Sequence, residues 1–128
     1  MKKYLFILIA CLVAVAAQAA GKGPQITMAN TTYDMGTIHA SKGNVKATYK
    51  FTNTGDEPLV IISVTNGGCG CTKPSYPLQP IAPGKTGQIV ITFNPKGRRG
   101  ELRREVKVKT NAKGTKRLSL KFTGVIIP

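Results

Sequence analysis

From about residue 26 onward, apolar and polar side chains alternate along the chain with a period of two, the spacing of a half-buried β-strand. Val45, Ala47, Tyr49 and Phe51 alternate with Lys46, Thr48, Lys50 and Thr52, and the turn residues Asn53-Thr54-Gly55-Asp56 end the run. Leu59 to Val64 is a continuous β-rich run, as expected of a more buried strand. Ile89, Ile91 and Phe93 alternate with Val90 and Thr92, and Asn94-Pro95 closes them. Leu102, Val106 and Val108 point one way; Glu101, Arg103, Glu105, Lys107 and Lys109 point the other. Arg104 interrupts the apolar side, so the first half of that strand is expected at an exposed or edge position. Leu118, Leu120 and Phe122 form the last alternating run, after a hairpin turn at Asn111-Ala112-Lys113-Gly114.

Upstream, Ile26 to Met28 and Thr31 to Ile38 read as one interrupted first strand, with a bulge or crossing point at Gly36. Pro74, Pro77 and Pro80 allow at most a short edge strand between Cys71 and Ile81. No segment of this region carries apolar residues at helical spacing over three turns. About seven short strands, with turns every 8–12 residues, predict an all-β, immunoglobulin-like β-sandwich. The chain has no Trp and no distant cysteine pair to bridge the sheets, so the core must come from Val, Ile, Leu, Phe and Tyr.

The first residues follow another pattern. Met1-Lys2-Lys3 precedes an uncharged apolar stretch from Tyr4 to Ala17, and Ala17-Gln18-Ala19 fits the small-x-small cleavage rule. This is the form of a secretory signal peptide over residues 1–19, leaving a single domain over residues 20–128. The apolar stretch is short for a membrane span, so no transmembrane segment is expected after cleavage. An uncleaved anchor is one alternative. Another is a lipid anchor at Cys11, because Leu8-Ile9-Ala10-Cys11 resembles a lipobox, although apolar residues continue past it. The expected location is secreted or periplasmic.

This leader changes the composition. The 128-residue chain carries 19 Lys+Arg against 5 Asp+Glu, a formal charge of +14. Loss of Lys2 and Lys3 leaves +12, and loss of Cys11 leaves two cysteines. Nine of the excess positive charges lie between Lys96 and Lys121. Arg98, Arg99, Arg103, Lys107, Lys109 and Lys121 are the candidate anion-binding residues. They suit an anionic polymer or lipid surface through salt-sensitive attraction. The plainer alternative is a solvated sheet face that resists aggregation. Specific nucleic-acid binding is not expected, because the segment has no stacking aromatic apart from core Phe122.

Chemistry is sparse. One His and five carboxylates leave no legible Ser/His/Asp arrangement, and Gly67-Gly68 lacks the setting of a phosphate loop. No catalytic residue, metal site or cofactor is assigned, and His39 reads as a surface residue. The one unusual motif is Gly67-Gly68-Cys69-Gly70-Cys71-Thr72. Side chains at i and i+2 of an extended segment share a side, so Cys69 and Cys71 can meet. Four readings stand open: a local disulfide, a redox-active pair, a Cu(I) site, and two thiols that merely pack. Lys73 nearby would favour thiolate.

Several stretches resemble a known family. They are Tyr33-Asp34-Met35-Gly36-Thr37-Ile38, Phe51-Thr52-Asn53-Thr54-Gly55, Gly68-Cys69-Gly70-Cys71-Thr72, Ile81-Ala82-Pro83-Gly84 and Phe122-Thr123-Gly124-Val125. Together they look like a secreted bacterial family catalogued as domain of unknown function 1573, common in Bacteroidetes-type bacteria. That family is similar to the immunoglobulin-like domains of the ASPM/SPD-2/Hydin and major-sperm-protein group. The resemblance implies a sandwich outside the cytoplasm and no established activity. The expected function is a non-enzymatic binding or structural module with a protein partner in the cell envelope. Thiol-redox or copper handling through Cys69 and Cys71, and anion binding through the basic hairpin, are the alternatives.

Overall fold

The computed structural model describes residues 23–128. The signal peptide over 1–19 and the lipid-anchor candidate Cys11 lie outside the described residues. Eight strands follow in order: β1 (Ile26–Met28), β2 (Thr32–His39), β3 (Val45–Asn53), β4 (Ile61–Val64), β5 (Thr72–Ser75), β6 (Thr86–Phe93), β7 (Gly100–Thr110) and β8 (Arg117–Ile127). A single 3-10 turn, Ala40–Lys42, interrupts them among the described residues. The strands form two four-stranded sheets, ordered β1-β3-β6-β5 and β2-β8-β7-β4. All pairings are antiparallel except β2 with β8. This is an immunoglobulin-like sandwich.

The expected single first strand is two strands in different sheets. The chain leaves β3 after Met28 and joins β8 at Thr32. At the crossing the Asn30 side chain stands in for the lost ladder. Its Nδ2 donates to the Thr48 carbonyl at 3.2 Å, and its Oδ1 accepts from the Lys50 N–H at 3.3 Å. The bulge expected at Gly36 is present, as a register shift between Asp34 and Thr37. Gly124 on β8 makes room for it: a Cβ there would stand 3.0 Å from the Gly36 carbonyl oxygen.

Alternation places the core as read. Ala47, Tyr49, Phe51, Ile89, Ile91 and Phe93 from one sheet are buried against Val106, Val108, Leu120 and Phe122 from the other. Phe93 and Phe122 meet across the interface with ring centroids 5.8 Å apart. Each Val, Ile, Leu or Phe among them contributes about 1.5–3 kcal/mol through burial. The continuous run from Leu59 is shorter as a strand than expected. Leu59 is bridged instead to Ile81, and β4 proper begins at Ile61. Arg104 sits half-buried on the inward side of β7, opposite Phe122, at the end of β7 that pairs with β8 alone.

Two buried polar side chains tie the end of the sandwich that carries the β7–β8 hairpin. Asn53 is fully buried. Its Nδ2 donates to the carbonyls of Glu57 (2.8 Å) and Ile81 (2.9 Å), and its Oδ1 accepts from the Gly55 N–H at 3.0 Å. Thr110 Oγ1 donates to the Thr115 carbonyl and accepts from the Ala112 N–H. The turn residue Asn111 reaches across to β4's approach, accepting from the Val60 N–H at 2.8 Å.

Candidate functional site

Residues 65–71 carry the chain from the end of β4 in one sheet to the start of β5 in the other. Gly67 and Gly68 adopt positive φ values of 68° and 82°, which an L side chain rarely tolerates. A Cβ on Gly67 would also lie 2.8 Å from the Glu105 carbonyl oxygen. The glycines therefore let the loop hug β7 and turn sharply. Asn66 Oδ1 accepts from the Gly68 N–H at 2.9 Å, and the Asn66 carbonyl accepts from the Cys69 N–H at 3.4 Å. The Cys69 carbonyl then accepts from Thr72 at 3.2 Å, and the Cys71 carbonyl accepts from Asn94 at 2.8 Å. At the other end of the loop the Thr65 N–H donates to the Lys107 carbonyl at 2.9 Å, so backbone bonds hold the loop from both sides.

Within it, Cys69 and Cys71 form a disulfide, their Cα atoms 5.2 Å apart. Both residues are half-buried, and Gly70 between them is exposed. The two sulfurs have different surroundings. Cys69 Sγ accepts two hydrogen bonds, from the Cys71 N–H at 3.2 Å and from Arg98 Nη2 at 3.3 Å. Cys71 packs against the margin of the core, and its Sγ lies 3.7 Å from the Thr72 hydroxyl. Cys71 also lines a small cleft of about 160 Å³ with Asn44, Gly70, Lys73, Thr92 and Asn94. The cation on the sulfur is Arg98; the sequence neighbour Lys73 lines the cleft beside Cys71.

The six candidate anion-binding residues do not form one patch. Arg98 and Arg99 lie in the β6–β7 turn, at the disulfide end. Lys107 and Lys109 lie toward the far end of β7, on the order of 25–30 Å away at about 3.3 Å per residue. Lys121 stands opposite Glu105 across the β7–β8 ladder, and Arg103 stands opposite Thr123 between Glu101 and Glu105. A shallow depression of about 770 Å³ along this part of β7 and β8 is lined by both signs: Asp34, Glu101 and Glu105 with Arg103, Arg104 and Lys121. The sequence showed the positive excess between Lys96 and Lys121; the register shows how the strand divides it. The contact of Arg98 with Cys69, 29 residues away, had no signal in the sequence.

Among the described residues no three His, Cys, Asp or Glu come together as a metal site would need. No helix among them is long and apolar enough to cross a membrane.

The profile of the family described as protein of unknown function DUF1573 matches residues 26–126. The chain belongs to that family. No curated protein matches it in sequence. Among solved structures, it is similar to a protein of unknown function from Porphyromonas gingivalis W83, with a TM-score of 0.70 and 20% identity, over 83% of this chain and 48% of that one. It is similar to the Vibrio cholerae VesB protease, with a TM-score of 0.62 and 13% identity, over 79% of this chain and 32% of that one. It is also similar to a PapD-like domain of human CEP192, with a TM-score of 0.57 and 14% identity, over 80% of this chain and 85% of that domain. The chain thus spans about half the length of the first of these proteins and about a third of the second. At these identities the likeness is one of fold.

Proposed function

We propose that the protein is a non-enzymatic, extracytoplasmic binding module that takes up an extended segment of a partner protein along an open sheet edge. The observation that carries this reading is the edge strand β4. It pairs with β7 on one side only. Its residues Ile61-Ile62-Ser63-Val64 contain no charge and no proline, and Ile62 is 48% exposed. The other edges are blunted in the usual ways. β5 carries Lys73 and Pro74, β1 is three residues long, and β2 carries Asp34; β4, although it has a register shift between Ile61 and Ser63, has neither a charge nor a proline. Strand addition uses main-chain hydrogen bonds for affinity and side-chain pockets for specificity. The leader read from residues 1–19 supports an extracytoplasmic setting, and the partner is expected in the cell envelope.

Site-specific photo-crosslinking tests this in the source bacterium. A photoreactive residue at Ile62 is expected to give a discrete adduct with one protein, while the same residue at Ser119, on the outer face of β8, gives none. Ile62→Lys is expected to weaken capture at least tenfold without changing the melting temperature. Equal labelling from both positions, or none from Ile62, would remove β4 as the binding edge.

A further inference from the structure

We propose that the Cys69–Cys71 disulfide is a thiol–disulfide exchange site for protein dithiols, with Cys69 as the leaving sulfur held by Arg98. This goes beyond strand binding and rests on different residues.

The bridge is redundant for shape. The Thr65 N–H donates to the Lys107 carbonyl of β7 at one end of the loop and the Asn94 N–H donates to the Cys71 carbonyl at the other, so the loop is held on both sides without the sulfur–sulfur bond. A bridge between residues two apart closes almost no chain, which limits what it adds to stability. It is also reachable: both cysteines are only half-buried, on a loop at the sandwich end, with Gly70 between them exposed.

The sulfurs are unequal in the way that exchange requires. A thiol of lower pKa leaves faster, and a neighbouring cation together with hydrogen-bond donors lowers a thiol's pKa. Cys69 Sγ has both, in the Arg98 guanidinium and the Cys71 N–H. Cys71 instead lines the cleft beside Lys73, a cation suited to drawing in an incoming thiolate.

The chemistry then runs as follows. One thiol of a substrate dithiol loses its proton to solvent, and the thiolate attacks Cys71 Sγ. The Cys69–Cys71 bond breaks, and its electron pair goes to Cys69 Sγ beside Arg98. A mixed disulfide now joins substrate to Cys71. The second substrate thiol, also deprotonated to solvent, attacks its partner sulfur and displaces Cys71 as thiolate. Both protein thiolates regain protons from solvent. The substrate dithiol is oxidised to a disulfide, and Cys69–Cys71 is reduced to two thiols. Run backward, the same steps reduce a substrate disulfide.

The test uses the protein carrying Cys11→Ser, so that Cys69 and Cys71 are the only cysteines. Opening of the folded disulfide by dithiothreitol is followed by stopped flow. The rate is expected to rise linearly with dithiothreitol. Arg98→Ala is expected to slow it several-fold, because the leaving sulfur loses the cation that favours its thiolate. Arg98→Lys restores most of the rate, and the melting temperatures stay together. In single-cysteine forms at neutral pH, Cys69 (with Cys71→Ser) is expected to react with iodoacetamide several times faster than Cys71 (with Cys69→Ser). This comparison decides the matter if Arg98→Ala fails to fold. A rate unchanged in Arg98→Ala, a rate lost equally in Arg98→Lys, reduction no faster than global unfolding, or equal alkylation of the two cysteines would overturn the proposal.

Discussion

Both ends of the sandwich are rich in cations, yet they are built on different principles. At the hairpin end, polar side chains do the holding, two of them buried. Asn53 ties β3 to the segments at Gly55, Glu57 and Ile81, Thr110 closes the hairpin, and Asn111 anchors the approach to β4. The lysines there, Lys109, Lys113 and Lys116, are exposed. At the disulfide end, backbone hydrogen bonds do the holding, and one cation, Arg98, is turned onto a sulfur. The difference teaches that neither the charge nor the cysteines can be read in bulk. A buried amide with several backbone partners fastens one end, while at the other the covalent bond closes a ring between residues two apart in a loop that backbone bonds also hold.

The largest effect should come from the hairpin end. Asn53→Ala removes the bonds to the Glu57 and Ile81 carbonyls and to the Gly55 N–H, of which only the Ile81 carbonyl keeps another backbone partner, the Leu59 N–H. At about 1 kcal/mol for each lost bond it is expected to destabilise by about 3 kcal/mol in urea unfolding. A loss below about 1 kcal/mol would break the comparison from that side. Joint replacement Cys69→Ser and Cys71→Ser should cost less. The loop-entropy relation gives about 1.5 kcal/mol for so short a ring, against about 3 kcal/mol for a 15-residue loop. Unfolding of the double variant at room temperature would make the bridge a structural necessity.

A third prediction concerns pH. Burial, and to a smaller degree the neighbouring Tyr33, pushes the Tyr49 hydroxyl well above its ordinary value of 10.0. That hydroxyl donates to the Lys121 carbonyl. The unfolded chain releases this proton near 10 while the folded chain keeps it, so Tyr49's contribution is constant below that pH and is lost as pH rises beyond it. Tyr49→Phe is expected to flatten the alkaline decline in stability between pH 10 and 12, as followed by circular dichroism.

Much of this architecture was legible in the residues, and the reasons are physical. Alternation at Val45–Phe51, Ile89–Phe93 and Leu118–Phe122 reports burial on one face, and that is what a sandwich requires. The split of the first strand was not legible. No Gly or Pro marks the crossing at Ala29-Asn30-Thr31, where the Asn30 amide replaces backbone pairing. Asn53 read as a turn residue because local sequence cannot show that an amide's partners come from Glu57 and Ile81. The cysteine motif was visible as a pair, and the basic segment as an excess of charge. The contact that joins them depends on the loop from β4 and the β6–β7 turn meeting at one end, which only the fold supplies.

Native-state hydrogen exchange on the oxidised and the reduced protein is the most direct test of the contrast between the two ends. The account predicts that reduction leaves the Asn94 and Thr72 amides, which donate to the Cys71 and Cys69 carbonyls, protected to within about tenfold, or about 1.4 kcal/mol. The Gly55 amide on Asn53 should not change. Loss of protection at Asn94 and Thr72 to the level of an open loop would contradict it, because the disulfide would then be the fastening.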